Sequence, residues 1–397
     1  MTDPSYAGIV PGVFNVSAQE RVVHGRPAAA AVAEEAARLG ARRVFLVSGR
    51  TLGGLADGPV QRVAAGLGER HAGTWAAVRA HSPREDVIAI AQAAREAGAD
   101  LLVGVGGGSA IDAAKAALVC LWHDLRSVDA MEPFRTGVPA DIARSIVAPA
   151  GAMRMLSVST TLSAPEFTSI AGVTDSARRA KQSFVHRLLV PQVAVLDPAA
   201  TLHTPANLLF STAIRSVDHA VETWCSPLAT LATEAQSLQG LRLLARALPA
   251  IQADPAALGP RMQAQFGMWQ AIAALAAGVQ TGASHGIGYA LGAGYNVGHG
   301  ETSCVMLPAV LRWNAEANAG RQAALAEAMG APGRPAHELV LALIRQLGQP
   351  STLREVGIQA AQLDEIAGKA MGYPPVLANP RPITTPAQVR EILDLAW

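Results

Sequence analysis

The sequence predicts an α/β domain over residues 1–200 followed by an all-α domain over 201–397, and three observations carry that prediction. At 397 residues the chain exceeds what a single hydrophobic core ordinarily serves. Its first half alternates helical patterns with short, continuous apolar runs, as expected of a parallel sheet covered on both faces. Beyond about residue 205 strand-length runs are absent and the patterns are nearly all helical.

RPAAAAVAEEAARLGA (26–41) reads as a helix and RRVFLVS (42–48) as a buried strand. SPREDVIAIAQAAREAGA (82–99) has a helix start, with Ser82 as cap, Pro83 in the first turn and Glu85 three residues after the cap. DLLVGV (100–105) is a second buried strand. VAVLDPAATLHTP (193–205) carries the last strand and a turn, which puts the domain boundary near 197–205. Helices are expected over 205–225, 229–248, 258–280, 303–318, 335–347 and 386–396. The Pro-rich YPPVLANPRPITTP (373–386) reads as an ordered surface connection. No internal repeat or low-complexity tract appears.

Composition narrows the function classes. Half the residues are hydrophobic and 4% are aromatic, so the apolar mass is Ala, Leu and Val, suited to packed helices and buried strands. A formal charge of +1 gives no electrostatic case for nucleic acid or an anionic membrane. Cys120, Cys225 and Cys304 are scattered and no CxxC spacing occurs. Neither a disulfide scaffold nor a cysteine zinc site is expected, and a cytoplasmic location fits. The opening MTDPSYAGIVPG lacks the basic and apolar regions of a secretory signal. The longest apolar run, AIAALAAGV (271–279), is too short to span a bilayer.

LLVGVGGGSAIDAAKAA (101–117) is the strongest local signal. A buried strand runs into Gly106, Gly107 and Gly108, and Ser109 opens a helix as its cap. Glycines let the backbone approach a ligand, and a helix start offers free N–H groups and a positive dipole end; together they suit a phosphate. The bland alternative is a tight turn without a ligand. GVGGGS lacks the third spaced glycine of the ordinary dinucleotide fingerprint. In SVSTTLSAPEFT (157–168), Thr160 and Thr161 could donate to a pyrophosphate or ribose, although Ser/Thr loops are often only turns.

TAIRSVDHAVE (212–222) is helical, with Ile214, Val217 and Val221 on its apolar face. Arg215 and His219 lie one turn apart on one side, and Asp218 is expected to point elsewhere. ASHGIGYALGAGYNVGHG (283–300) adds His285 and His299, fourteen residues apart, with Tyr289 one turn after His285. Small residues at Gly282, Ala283, Gly286 and Gly288 permit close approach by a helix or a ligand. A lone histidine here would be structural; three of them make a convergent site the better expectation.

GGGSAIDAAKA, STTLSAPEFT, VDHAVE, HGIGYALGAGYNVGHGE and VMLPAVLRWN occur in the order seen in the iron-containing alcohol dehydrogenase superfamily, which shares the dehydroquinate synthase-like fold. The chain resembles that superfamily from about residue 10 to 397. EFTSIAGVTD and ANPRPITTPAQVREILDLAW are similar to its maleylacetate reductase branch. The resemblance implies an N-terminal dinucleotide-binding α/β domain, a helical domain with the His cluster, and an active site between them. It assigns the pyrophosphate to Gly106, Gly107, Gly108 and Ser109. Asp112, Thr160, Thr161, Leu162 and Lys181 match further cofactor-binding positions, and Lys115 completes Asp-x-x-Lys. NAD-preferring relatives often carry an acid after the second strand, where this chain has Val47, Ser48, Gly49 and Arg50. Arg50 could pair with a 2′-phosphate or be a solvated loop arginine. NADPH, alone or alongside NADH, is expected.

Metal-dependent relatives use Asp-x-x-x-His and two later histidines fourteen residues apart. Here His219, His285 and His299 match, and Arg215 replaces the aspartate. A guanidinium only donates and stays charged, so it cannot be a ligand and opposes a divalent cation. Those three histidines are the ligand set if any metal binds, and none is expected. Tyr289 stands where relatives often have a histidine near the nicotinamide. The expectation is a metal-independent, maleylacetate reductase-like enzyme. Arg215, His219, His285, His299 and Tyr289 are its catalytic candidates, a small anionic oxo-acid its substrate, and a homodimer its family-implied assembly. The rivals are a metal-dependent alcohol dehydrogenase or aldehyde–ketone reductase, a non-redox lyase or cyclase on this fold, and an inactive binding protein.

Overall fold

The computed structural model describes residues 13–178 and 180–397; the opening MTDPSYAGIVPG lies outside them. The N-terminal elements are β1 (Arg21–His24), α1 (Ala28–Arg38), β2 (Val44–Gly49), α2 (Arg50–Gly53), α3 (Pro59–Leu67), β3 (His71–Val78), α4 (Arg84–Glu96), β4 (Leu101–Gly106), α5 (Gly108–Trp122), β5 (Arg154–Ser159), β6 (Ile170–Asp175), β7 (Ala180–Val185) and β8 (Val193–Leu196). Six of the strands form a parallel sheet in the order β1-β8-β5-β4-β2-β3, while β6 and β7 pair as an antiparallel hairpin. An α/β half is therefore observed. Every residue of β4 and β8 is buried, so these strands read as continuous apolar runs. Each such Leu or Val contributes about 1.5–3 kcal/mol of burial free energy.

The chain leaves β2 in one direction, toward β3, and leaves β4 in the other, toward β5. The carboxyl ends of β2 and β4 therefore flank a topological switch point, where open α/β sheets bind ligands.

Helices follow: α6 (Ala206–Cys225), α7 (Leu231–Ala253), α8 (Leu258–Ala276), α9 (Ala283–Tyr295), α10 (His299–Asn314), α11 (Ala319–Ala328), α12 (Ala336–Gln346), α13 (Leu363–Ala370), α14 (Pro374–Leu377) and α15 (Pro386–Leu395). No strand follows β8 among the described residues. One apolar cluster joins Leu162, Phe167 and Leu196 of the first half to Ile214, Val217 and Leu241 of the second. The halves thus share a core, which fixes the crevice between them. Among the described residues no helix is long and apolar enough to cross a membrane. The three cysteines are free and buried.

Several expectations need correction. Ser82 does not cap α4; its φ is +53°, and its hydroxyl donates to the Ser109 carbonyl at 2.8 Å. The helix expected over 303–318 starts at His299 and ends at Asn314. The segment 373–386 runs along the surface, as Pro374, Leu377 and Arg381 are exposed, and is anchored by Val376, Asn379 and Ile383, which are buried. Gly286 meets this segment: a Cβ on it would lie 2.8 Å from the Val376 nitrogen. The small residues of α9 therefore admit a neighbouring segment there.

Candidate active site

Three segments of the first half meet at the switch point. β4 ends at Gly106, whose φ of 152° is a backbone state that side chains disfavour. α5 has Gly107 as N-cap and no capping side chain, so its first N–H groups and dipole end are free for an anion. Ser109 is not the expected cap; its Oγ accepts the His81 N–H at 3.0 Å. A Cβ on Gly107 would come 2.7 Å from Thr161 Cγ2. The second loop is laid against this turn: the Thr160 N–H donates to the Gly106 carbonyl at 3.0 Å. Leu162 ties that loop to α6, its N–H donating to Thr212 Oγ1 at 3.2 Å and its carbonyl accepting from Ser216 Oγ at 2.6 Å.

Asp112 and Lys181 flank Gly172, where a Cβ would lie 3.3 Å from Asp112 Oδ2 and 3.4 Å from Lys181 Cε. Lys115 is fully buried and donates to the carbonyls of Pro165 at 2.5 Å and Ile170 at 2.8 Å. It staples α5 to the β6 region instead of facing the crevice. Ser48 lies near the end of β2, buried, with no hydrogen-bond partner for its hydroxyl. Arg50 is exposed and opens α2. That helix is beside the glycine turn, with Leu52 Cδ1 3.8 Å from where a Gly106 Cβ would stand.

The helical half supplies a polar stripe. Arg215, Asp218, His219 and Glu222 are spaced by three, four and seven residues, which places them on one side of α6. Asp218 therefore does not point elsewhere. Its Oδ2 accepts from Ser303 Oγ at 2.6 Å and Ser284 Oγ at 2.9 Å. It also lies 3.8 Å from Arg215 Nη1 and 3.3 Å from His285 Nδ1. Arg215 Nη1 donates to Ser303 Oγ at 3.0 Å. Glu222 accepts the N–H groups of Gly282 at 2.9 Å and Ser284 at 2.7 Å, and lies 2.7 Å from His285 Nδ1. The start of α9 is thus bolted onto α6 through two buried carboxylates.

The histidines converge. The rings of His219 and His285 are 4.9 Å apart. Tyr289 stands beside them, its ring 6.3 Å from that of His285 and 5.7 Å from the Arg215 guanidinium carbon. His299 opens α10, and its Cε1 lies 3.5 Å from where a Cβ on Gly292 of α9 would stand. Its ring also meets that of His81 at 5.6 Å, nearly perpendicular. Buried atoms without a partner include His219 Nδ1, His285 Nε2, His299 Nδ1 and Asp218 Oδ1.

Burial, then the charges of His285 and Arg215, hold His219 well below the usual imidazole range. Burial, Lys181 and Arg215 do the same to His299. His285 shifts the other way: burial and Arg215 push it down, but Asp218 and Glu222 outweigh them and raise it. Burial would raise Asp218, yet His285, Arg215 and Ser303 hold it below the ordinary carboxylate value. His285 Nδ1 faces Glu222 at 2.7 Å and its Nε2 is buried without a partner, so the ring in its protonated form would hold Nδ1–H on Glu222 and leave Nε2–H unengaged, as a proton donor requires.

Sequence reasoning missed Glu222, Ser284, Ser303 and His81. Glu222 was legible as the last member of the stripe on α6. Ser303 and His81 come from distant segments and carry no local signal. Among the described residues, Asp218, Glu222 and His285 form a cluster whose ligand atoms lie within 4.8 Å of one another; it shares His285 with the expected set of three histidines.

The family described as "Iron-containing alcohol dehydrogenase" matches residues 19–198, and its C-terminal counterpart, "Fe-containing alcohol dehydrogenase family, C-terminal", matches 210–397. A dehydrogenase of Alternaria alternata is 32% identical, covering 84% of this chain and 93% of its own. A maleylacetate reductase of Delftia acidovorans is 30% identical, covering 91% and 92%. The crystal structure of maleylacetate reductase from Agrobacterium tumefaciens superposes with a TM-score of 0.81 at 27% identity, covering 98% of this chain and 99% of that one. By sequence over both halves and by fold, the chain belongs to the iron-containing alcohol dehydrogenase family, on its maleylacetate reductase-like branch, and is an NAD(P)H-dependent oxidoreductase.

Proposed function

We propose that the protein reduces the carbon–carbon double bond of a small conjugated oxo-diacid of the maleylacetate type, and does so without a metal. The observation that carries this reading is Arg215. Its guanidinium stands in the histidine cluster, 3.0 Å from Ser303 Oγ and 3.8 Å from Asp218, as a built-in cation.

The family name implies iron, and the donor set here does not fit it. Asp218 Oδ2 and both Glu222 oxygens are engaged by serine hydroxyls, backbone N–H groups and His285. A divalent ion at the remaining open donors, Asp218 Oδ1 and the histidine nitrogens, would stand beside a permanent cation that repels it. The rival reading, a metal-dependent alcohol dehydrogenase or aldehyde–ketone reductase, draws on the unpartnered nitrogens of His219, His285 and His299.

The uncapped α5 start and the Gly107–Thr161 contact fit a dinucleotide pyrophosphate. Bound NAD(P)H supplies a hydride. Hydride addition at the alkene carbon remote from the ketone puts negative charge on the ketone oxygen. Arg215 stabilises that enolate, or grips an adjacent carboxylate, with a charge already in place. His285 delivers a proton from Nε2 to the enolate carbon. Its Nδ1–H stays on Glu222, which holds the ring in orientation throughout. His219 and His299, both held below the usual imidazole range chiefly by burial, stand beside it without competing as acids.

The test is NADPH and NADH oxidation by the purified protein given maleylacetate, with the product identified. Oxoadipate formation is expected. Absence of oxidation by protein that binds NADPH overturns the reading. The same assay checks Arg50: Arg50→Gln is expected to raise KM for NADPH roughly tenfold, the worth of one charge-assisted hydrogen bond, with KM for NADH unchanged. An equal change for both cofactors removes Arg50 from the 2′-phosphate site.

A further inference from the structure

His81 is the residue that neither the motifs nor the mechanism above absorbs. It lies in the turn between β3 and α4, and both it and the next residue, Ser82, have left-handed backbones, with φ of 64° and 53°. Non-glycine residues in that state are each disfavoured, and a consecutive pair persists only when its surroundings impose it. Here they do. The His81 N–H donates to Ser109 Oγ at 3.0 Å, and its carbonyl accepts from Thr174 Oγ1 at 2.9 Å and Lys181 Nζ at 3.3 Å. Ser82 donates through Oγ to the Ser109 carbonyl at 2.8 Å, and its own carbonyl accepts the Thr174 N–H at 3.1 Å. Three elements, α5, β6 and β7, hold one strained turn. The result is an imidazole that reaches across the crevice to within 5.6 Å of the His299 ring.

That imidazole has a chemical setting. Among the described residues neither the His81 ring nor the His299 ring has a hydrogen-bond partner, and His299 Nδ1 is buried. Lys181 borders the turn from β7, and Arg215 stands beyond His299 on α6. Of the acidic groups nearby, Asp112 lies 3.7 Å from Lys115 and stands beside Lys181, Glu222 accepts from the start of α9, and Glu301 accepts the Gly298 N–H at 3.2 Å. The space between His81 and His299 is thus lined by imidazole nitrogens without partners, with the Arg215 cation beyond, and these suit an anionic group.

We propose that His81 and His299 form a subsite for one carboxylate of the substrate, so that the enzyme selects dianionic over monoanionic oxo-acids. Arg215 serves the opposite end or the enolate, and the turn of His81, anchored on Ser109, sets the distance from the cofactor turn. His81 is a specificity-determining residue in this account. The inference rests on the reductase reading and adds which residue reads the second charge.

The experiment is a chemical double-mutant cycle. The wild type and His81→Asn are compared on maleylacetate and on two half-analogues, each lacking one carboxylate. Asparagine tolerates the left-handed backbone, so the turn keeps its shape, and NADPH affinity serves as the control for fold. His81→Asn is expected to lower kcat/KM for maleylacetate roughly 10- to 100-fold, the range for a hydrogen bond to a charged group. It is expected to leave the rate unchanged for one half-analogue, the one without the carboxylate that His81 holds. His81→Gln, with a longer donor, is expected to recover part of the loss on maleylacetate. Equal losses on all three compounds, or none on any, overturn the subsite. A wild type that reduces none of the three removes the reductase reading itself, and the subsite with it.

Discussion

Arg215→Gln is expected to lower kcat/KM for the oxo-acid by roughly 100- to 1000-fold, the range for losing one preorganised donor to a developing oxyanion, in protein that still folds and binds NADPH. Glutamine keeps the unbranched stem and a planar amide donor, in a shorter side chain, and removes the charge. Asp218 then loses a cation at 3.8 Å and retains Ser284, Ser303 and His285 as partners, so the fold has other supports. Steady-state kinetics beside a thermal melt separates the effects. Unfolding together with normal turnover per folded molecule contradicts the role.

The second large effect concerns His285. His285→Asn is expected to reduce kcat by roughly 100- to 10,000-fold, the span of general-acid catalysis. Its pH dependence is the sharper test. Asp218 and Glu222 raise the folded-state value of His285 against burial and Arg215, so the acidic form persists above the ordinary imidazole value of about 6.5. kcat should therefore be sustained at neutral pH and fall as pH rises through the raised value. The stability it contributes has the same sign: fully present below the unfolded value, and lost as pH rises through the folded one. Asp218, which is held low, works in the opposite window; its contribution is present above the unfolded carboxylate value and lost as pH falls through the folded one. Glu222→Gln removes one of the raising charges and should move the alkaline limb of kcat to lower pH. A limb that stays in place shows that the titrating acid is not His285.

How much of this was legible in sequence depends on the range of the interaction that fixes each residue. β2, β4 and β8 were readable because strands buried on both faces are apolar throughout. β1 and β3 were not, since RVVH is short and half-exposed and HAGTWAAV lies at the sheet edge with mixed burial. In β5, Ser157 and Ser159 interrupt the apolar run. The hairpin of β6 and β7 buries alternate positions only. The long helices were found with their ends displaced, as with α10, because His299 and Gly300 read locally as loop. Gly300 instead sits tight on α6: a Cβ on it would stand 2.5 Å from the Ser211 carbonyl.

The site divides the same way. Arg215 and His219 were visible from helical spacing, and the same spacing carried Asp218 and Glu222 unread. Asp218 was misjudged because adjacency to His219 suggested a different side of the helix, whereas Ser284, Ser303 and His285 draw its carboxylate inward. His81 and Ser303 have no local signature at all. They become functional candidates only when β3 and α10 are brought to the same crevice.

If Arg215 serves in place of a metal ion, catalysis is indifferent to chelators. The decisive measurement is the metal content and the maleylacetate reduction rate of one preparation, before and after exhaustive chelation. Only trace iron and zinc are expected, with an undiminished rate after treatment. A rate that collapses on chelation and returns with added ferrous or zinc ion contradicts that role, and moves Arg215 from electrophile to bystander.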